Sequence, residues 1–225
     1  MTEKKRGGLA GVMAGETAIS TVGKTGVGLT YRGYQIEDLA SSEEVAYLML
    51  YGTLPNPSEL ASYQRQLMAF RVLPDPLKRI LEHLPGQAHP MSVLGAGCFA
   101  LSAIEPEEAM HNQDAIANRL LACFPALLLY WYHFQHHGRR IETTTDDENT
   151  ATYFLRLLHG KEPSEWQRQA LNVSLILYTE HEFNACTFTA RIAASTQADL
   201  YSAVAAAIGT LKGPQDRSPD QSRRS

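Results

Sequence analysis

The chain has 225 residues, with 20 Lys and Arg against 24 Asp and Glu, a formal charge of −4 and an apolar fraction of 44%. That length suffices for one large domain with its own core. The mild acidity gives no electrostatic footprint for nucleic acid or an anionic membrane surface.

The charged start Met1-Thr2-Glu3-Lys4-Lys5-Arg6 runs into glycines rather than an apolar stretch, so it does not read as a signal peptide. Through residue 35 the chain is rich in Gly and Thr, and Thr17–Val22 and Leu29–Tyr31 are expected to pair as a small hairpin. From Ile36 the pattern turns helical. Ser41-Ser42-Glu43-Glu44 is a capped start, and the stripe Val45, Leu48, Met49 stops at Tyr51-Gly52. Leu54-Pro55-Asn56-Pro57-Ser58 is a linker whose serine is placed to cap a helix from Glu59 to Arg71. Pro74-Asp75-Pro76 opens the next helix, which ends near Leu84-Pro85-Gly86. His89-Pro90-Met91 then opens an apolar helix through Ala103, broken by Glu105-Pro106-Glu107-Glu108.

Ala115 to Gln135 reads as one long buried helix with a kink at Pro125. Its apolar run, Pro125 to Tyr132, is too short for a bilayer, so no membrane span is expected. Gly138 to Asn149 is a charged loop with too little hydrophobicity to pack. Further helices are predicted over Thr150–His159, Ser164–Tyr178, Asn184–Ser195 and Leu200–Leu211. No strand-sized alternation follows residue 35, so the fold class is all-α with a small N-terminal β-hairpin. The expected organisation is an N-terminal segment over 1–35, a helical domain over 36–214, and a disordered tail over 215–225, which has no aliphatic or aromatic side chain. Cys98, Cys123 and Cys186 are far apart, odd in number and without CxxC spacing, which reads as reduced thiols in a cytoplasmic protein.

Three patterns invite a chemical reading. Ala18 to Thr25 loosely fits a phosphate loop, but that loop must run straight into a helix whose first amides hold the phosphate. Gly26-Val27-Gly28 and a predicted strand follow instead, so no nucleotide cofactor is expected. His133, His136 and His137 have spacings that can set two imidazoles on one helix face, as metal ligands need. Without a carboxylate or cysteine at ligand spacing they read as a helix-terminal cluster, and no metal is expected. His181-Glu182 begins like HExxH, but Ala185 stands where the second histidine belongs. What remains is an imidazole, His181, and a carboxamide, Asn184, three apart at a junction between apolar helices. Such a junction can aim both groups into a cleft as hydrogen-bond donors to a carbonyl or carboxylate. It can equally be a polar contact that caps helix ends, and spacing alone favours that.

The neighbouring segments add to this. Gly8–Val12, Tyr31-Arg32-Gly33-Tyr34, Glu43–Leu48, His89-Pro90-Met91 and Tyr178–Arg191 resemble the citrate synthase family in order and spacing, over nearly all of residues 7 to 214. Tyr130-Trp131-Tyr132-His133 and Gly138–Glu142 look more like the 2-methylcitrate synthase branch than plain citrate synthase. The resemblance implies a mostly helical enzyme fold with a large and a small domain, working as a homodimer. Family members condense an acyl-CoA with oxaloacetate, propionyl-CoA giving 2-methylcitrate and acetyl-CoA giving citrate. It also implies that His181 binds oxaloacetate with Asn184 beside it, and that Arg71 is a further substrate contact.

Making a carbon nucleophile from a thioester needs a base for the α-proton and a donor for the developing enolate oxygen. In the family an aspartate and a histidine do this, a second histidine polarises the oxaloacetate carbonyl, and arginines hold its carboxylates. The donor histidine lies in a Gly-Pro-x-His-Gly-Gly segment after an alanine-rich helix. Here Lys212-Gly213-Pro214 is followed by Gln215-Asp216-Arg217-Ser218, and no histidine occurs beyond His181. The resemblance therefore implies a form truncated after Pro214, without catalytic residues, CoA site or small domain, and inactive alone. The alternatives are a fragment of a citrate synthase that uses acetyl-CoA and a non-catalytic interaction protein using the family's dimer-interface helices.

Overall fold

The computed structural model describes residues 15–22, 26, 28–108 and 112–213. Among them the chain forms a two-stranded hairpin and nine α-helices, the all-α class that the pattern predicts. Gly8–Val12, Pro214 and the tail over 215–225 lie outside the described residues.

The hairpin differs from the expected pairing. β1 (Thr30–Tyr31) pairs antiparallel with β2 (Tyr34–Gln35), Thr30 opposite Gln35 and Tyr31 opposite Tyr34. The two-residue turn Arg32-Gly33 has positive φ at both positions, 48° and 89°, the backbone that matches strand twist in tight hairpins. The Thr17–Val22 segment lies along the other side of β1 by a single bridge, Ser20 to Tyr31. Arg32 N–H donates to the Ile19 carbonyl at 2.6 Å and Thr21 N–H to that of Thr30 at 3.2 Å.

The helices begin and end where local chemistry directs. α1 (Ser42–Tyr51) is capped by Ser41 and stopped by Gly52 at φ 86°. α2 spans Pro57–Ala69, and its cap is Asn56 rather than Ser58. The Asn56 carboxamide accepts from the Ser58 and Glu59 amides while the Glu59 carboxylate accepts from Asn56 N–H. Pro57 at the first helical position lacks only a donor that a helix start leaves unpaired anyway. α3 (Asp75–His83), α4 (Pro90–Ile104) and α5 (Gln113–His137) follow, then α6 (Thr150–His159), α7 (Glu165–Tyr178), α8 (Ala185–Ser195) and α9 (Leu200–Thr210).

The main core joins α3, α4, α5, α6 and α9 through Leu77, Leu81, Val93, Leu101, Ile116, Leu127, Tyr153 and Tyr201. α5 is its axis and continues through Pro125. By length and composition it is the one described helix able to cross a membrane, so its apolar stretch is longer than the sequence run suggested. Ile116, Leu120, Leu127 and Trp131 on it are buried in the bundle. At Gly97, α4 comes so near α5 that an added Cβ would lie 2.9 Å from Cδ2 and Cγ of Leu127 and closer still to its Cδ1.

The 138–149 loop is packed, contrary to expectation. Thr143 is buried and its carbonyl accepts from the Tyr153 hydroxyl at 2.7 Å. Asp147 accepts two bonds from Arg156, at 2.7 and 2.9 Å, and Arg140 grips Glu82 with two more. Ion pairs and hydrogen bonds to other elements hold it down, together with Ile141, which packs against the main core.

Candidate functional site

The corner between α7 and α8 carries His181 and Asn184, and its shape comes from five hydrogen bonds. The Tyr31 hydroxyl, reaching from the hairpin, donates to the carbonyls of Ile176 (3.0 Å) and Leu177 (3.3 Å) and so pins the end of α7. Tyr31 is fully buried, and burial raises its phenol pKa, with the nearby Glu180 charge adding to the rise while the Glu180 backbone N–H opposes it. The chain then turns through Glu182, whose φ is +60°, and Glu182 N–H donates to Glu180 Oε1 at 2.7 Å. Asn184 is the N-cap of α8, its Oδ1 accepting from Thr187 N–H and from the Cys186 thiol, both at 2.8 Å.

That cap fixes the carboxamide. With Oδ1 turned to the helix, the Nδ2 amino group makes no hydrogen bond among the described residues and faces outward on an exposed side chain. His181 is also exposed, its ring 6.4 Å from that of Tyr178. The first amides of α8 add the positive end of a helix dipole. Arg191, two turns along α8 and also exposed, lies over the Phe183 ring at 5.0 Å. Gly15 approaches the other element of this stack, since a Cβ there would sit 3.1 Å from Phe183 Cζ. The corner thus presents an imidazole, an amino group and helix amides, with a guanidinium nearby: a donor set suited to a small carboxylate.

Arg71 does not join it. The side chain is 1% exposed, donates to the Asp147 carbonyl and lies 3.9 Å over the Tyr153 ring. Burial lowers its pKa against the opposing pull of Tyr153, Asp147 and Glu43. A guanidinium so enclosed holds the 138–149 loop to α2 and α6. His133 is buried with Nε2 on the Leu157 carbonyl at 2.8 Å, while His136 and His137 surround Tyr132. Among the described residues no group of three or more His, Cys, Asp or Glu converges as metal ligands would. Residues 23–25 of the loose phosphate-loop match lie outside the described set, and Gly28 leads into β1 rather than a helix. Tyr31, Glu180 and Arg191 were not singled out by sequence reasoning. All three stand in segments that resemble the family, but nothing in spacing marks a tyrosine 145 residues from its acceptor.

Comparison with known proteins follows the same line. The citrate synthase C-terminal domain family matches residues 8–218. The 2-methylcitrate synthase of Shewanella oneidensis is 55% identical over 210 residues, covering 92% of this chain and 56% of that protein. The citrate synthase of Mycolicibacterium smegmatis is 38% identical over 212 residues, with 92% of this chain and 56% of that protein covered. Among solved structures, citrate synthase from Thermoplasma acidophilum, in a ternary complex with carboxymethyl coenzyme A and oxaloacetate, matches with a TM-score of 0.80 at 29% identity, over 91% of this chain and 55% of that one. The chain therefore spans little more than half the length of these relatives. Matched along nearly its whole length in sequence and in fold, it belongs to the citrate synthase family.

Proposed function

We propose that this chain carries the oxaloacetate-recognising part of a 2-methylcitrate synthase, which condenses propionyl-CoA with oxaloacetate and water to give 2-methylcitrate and free CoA. The observation that carries the branch is the 55% identity to a 2-methylcitrate synthase, against 38% to a citrate synthase over a similar length. The observation that carries the site is the donor set at the α7–α8 corner. His181 donates to an oxaloacetate oxygen, and Asn184 Nδ2 with the first α8 amides receives a carboxylate. Deprotonating the thioester and stabilising its enolate need a base and a further donor. No histidine follows His181 in the sequence, and in this proposal those groups come from outside residues 15–213. The polypeptide alone then has negligible turnover.

A chimera tests this, with the chain replacing the matched portion of the S. oneidensis enzyme. CoA release from propionyl-CoA and oxaloacetate should appear in the chimera, be absent from the chain alone, and fall by about two orders of magnitude or more in chimeric His181→Ala. A folded chimera without turnover, or a chain active by itself, overturns the proposal.

We also propose self-association through α8 and α9. No residue of α8 is buried, and Ile192 on it is half exposed, an apolar surface that a second copy would cover. Light scattering on the purified chain should return twice the monomer mass; a monodisperse monomer refutes it. A cytoplasmic location belongs to the same proposal and rests on Cys98 and Cys123 remaining free thiols.

A further inference from the structure

Glu182 is held where a residue with a side chain seldom goes. Its φ of +60° lies in the left-handed region, which glycine enters freely and other residues enter when their surroundings over-determine them. The residue sits between His181 and Asn184, so its backbone sets the angle between the peptide planes that carry the imidazole and the carboxamide. One contact over-determines it: Glu180 Oε1 accepts the Glu182 amide at 2.7 Å, bridging two residues. The Glu180 side chain is itself constrained, because its other oxygen, Oε2, is shut away from solvent with no hydrogen-bond partner among the described residues. A carboxylate that leaves one oxygen buried and unpaired is placed against its own preference, which is to have both solvated. Tyr31 completes the arrangement by pinning the last turn of α7, immediately before Glu180.

We infer that Glu180 is a positioning residue for His181 and Asn184, acting through the left-handed Glu182 and not by touching substrate. Its importance for catalysis rests on the oxaloacetate reading of that pair, but the clamp itself is a property of the free chain. The requirement is an acceptor oxygen at this reach. Glu180→Gln keeps one, and Glu180→Ala removes it. Substituting Glu182→Gly makes the clamp unnecessary, since glycine adopts this φ without help.

The test is amide hydrogen exchange and side-chain amide resonances on the 15N-labelled full chain. In Glu180→Ala the Glu182 amide should exchange faster by about tenfold or more, with amides of α4 and α5 unchanged. The paired Asn184 Nδ2 resonances should collapse toward the position of a free carboxamide. Glu180→Gln should match the parent chain, and Glu180→Ala/Glu182→Gly should recover the Asn184 resonances. Unchanged Glu182 exchange in Glu180→Ala overturns the inference. So does failure of the glycine rescue. If Glu180→Ala loosens the whole chain, Glu180→Gln decides: equal loosening there shows a general packing role and overturns the clamp. Titration with oxaloacetate is a separate arm. Shifts confined to residues 181–191 that weaken several-fold in Glu180→Ala and return in Glu180→Gln join the clamp to substrate recognition. Absence of any oxaloacetate shift in the parent chain defeats the substrate reading and leaves the exchange result standing.

Discussion

Adding a single methyl group at Gly97 and at Gly95, on the same helix and two residues apart, should have opposite effects. Both glycines lie inside α4, where alanine is intrinsically better by about 1 kcal/mol. At Gly95 the nearest atom to an added Cβ is Ile208 Cγ2 at 3.9 Å, an ordinary contact, so Gly95→Ala should stabilise by up to about 1 kcal/mol. At Gly97 the new Cβ meets Leu127 Cγ and Cδ2 at 2.9 Å and Cδ1 closer still. Leu127 is fully buried in the main core, so its side chain has no empty rotamer to take and the helices must separate. Overpacking of that kind costs about 1–3 kcal/mol, and three close atoms argue for the upper end. Subtracting the propensity gain leaves a net loss of about 2 kcal/mol, or roughly 4–8 °C in Tm for a chain of this size. Urea unfolding followed by circular dichroism gives both values, with the slope checking that the transition is unchanged. A neutral Gly97→Ala, or a Gly95→Ala that destabilises as much, refutes the claim that α4 and α5 meet backbone to side chain at Gly97.

Arg71→Ala should destabilise by on the order of 3 kcal/mol because it leaves the Asp147 carbonyl and the Tyr153 face without their cation, whereas His181→Ala, exposed, should stay within about 0.5 kcal/mol. Equal, small effects in chemical denaturation would refute the structural role given to Arg71. Burial pushes the Cys98 and Cys123 thiols up to about 12, so at pH 8 a thiol reagent should modify Cys186 in the folded chain and all three cysteines only in denaturant. Rapid labelling of a second thiol under native conditions contradicts the burial. Glu82, gripped by Arg140 and the Tyr130 hydroxyl, is drawn down to about 2. A depressed carboxylate contributes stability above its unfolded pKa and loses it as pH falls. The acid limb of Tm between pH 4.5 and 2 should therefore be shallower in Glu82→Gln, and an identical limb rules the contact out.

The helices were legible because their signals are local. Ser41, Gly52, Ser164 and Asn184 sit at the ends of apolar stripes, and each cap or stop is made within four residues of itself. Where two local signals competed, the reading failed by a small step: Asn56 and Ser58 can both cap, and Pro57 at the first helical position decides for Asn56. The expected pairing of Thr17–Val22 with Leu29–Tyr31 is present as a single bridge, whereas the β1–β2 hairpin was missed because its turn places an arginine at φ 48°, a residue that carries no turn signal. The 138–149 loop was misread because composition reports solvation without reporting partners, whether these lie far off, as Glu82 does from Arg140 and Arg71 from Asp147, or close by, as Arg156 does from Asp147 and Tyr153 from Thr143. At the corner the capping reading of Asn184 is the one seen directly, since the oxygen of the carboxamide caps α8.

Helix α8 packs mainly against α9, and none of its residues is buried. A helix of 11 residues is marginal on its own, so its order depends on what lies against it. The free energy of folding α8 and that of occupying the corner are therefore linked. A ligand seated on Asn184 and the first amides must hold the helix formed, and its apparent affinity falls by the fraction of time the helix is frayed. A protein surface covering the outer face of α8 would raise the fraction of time the helix is formed toward unity without contacting the ligand. Affinity at this site is then a quantity that assembly can set.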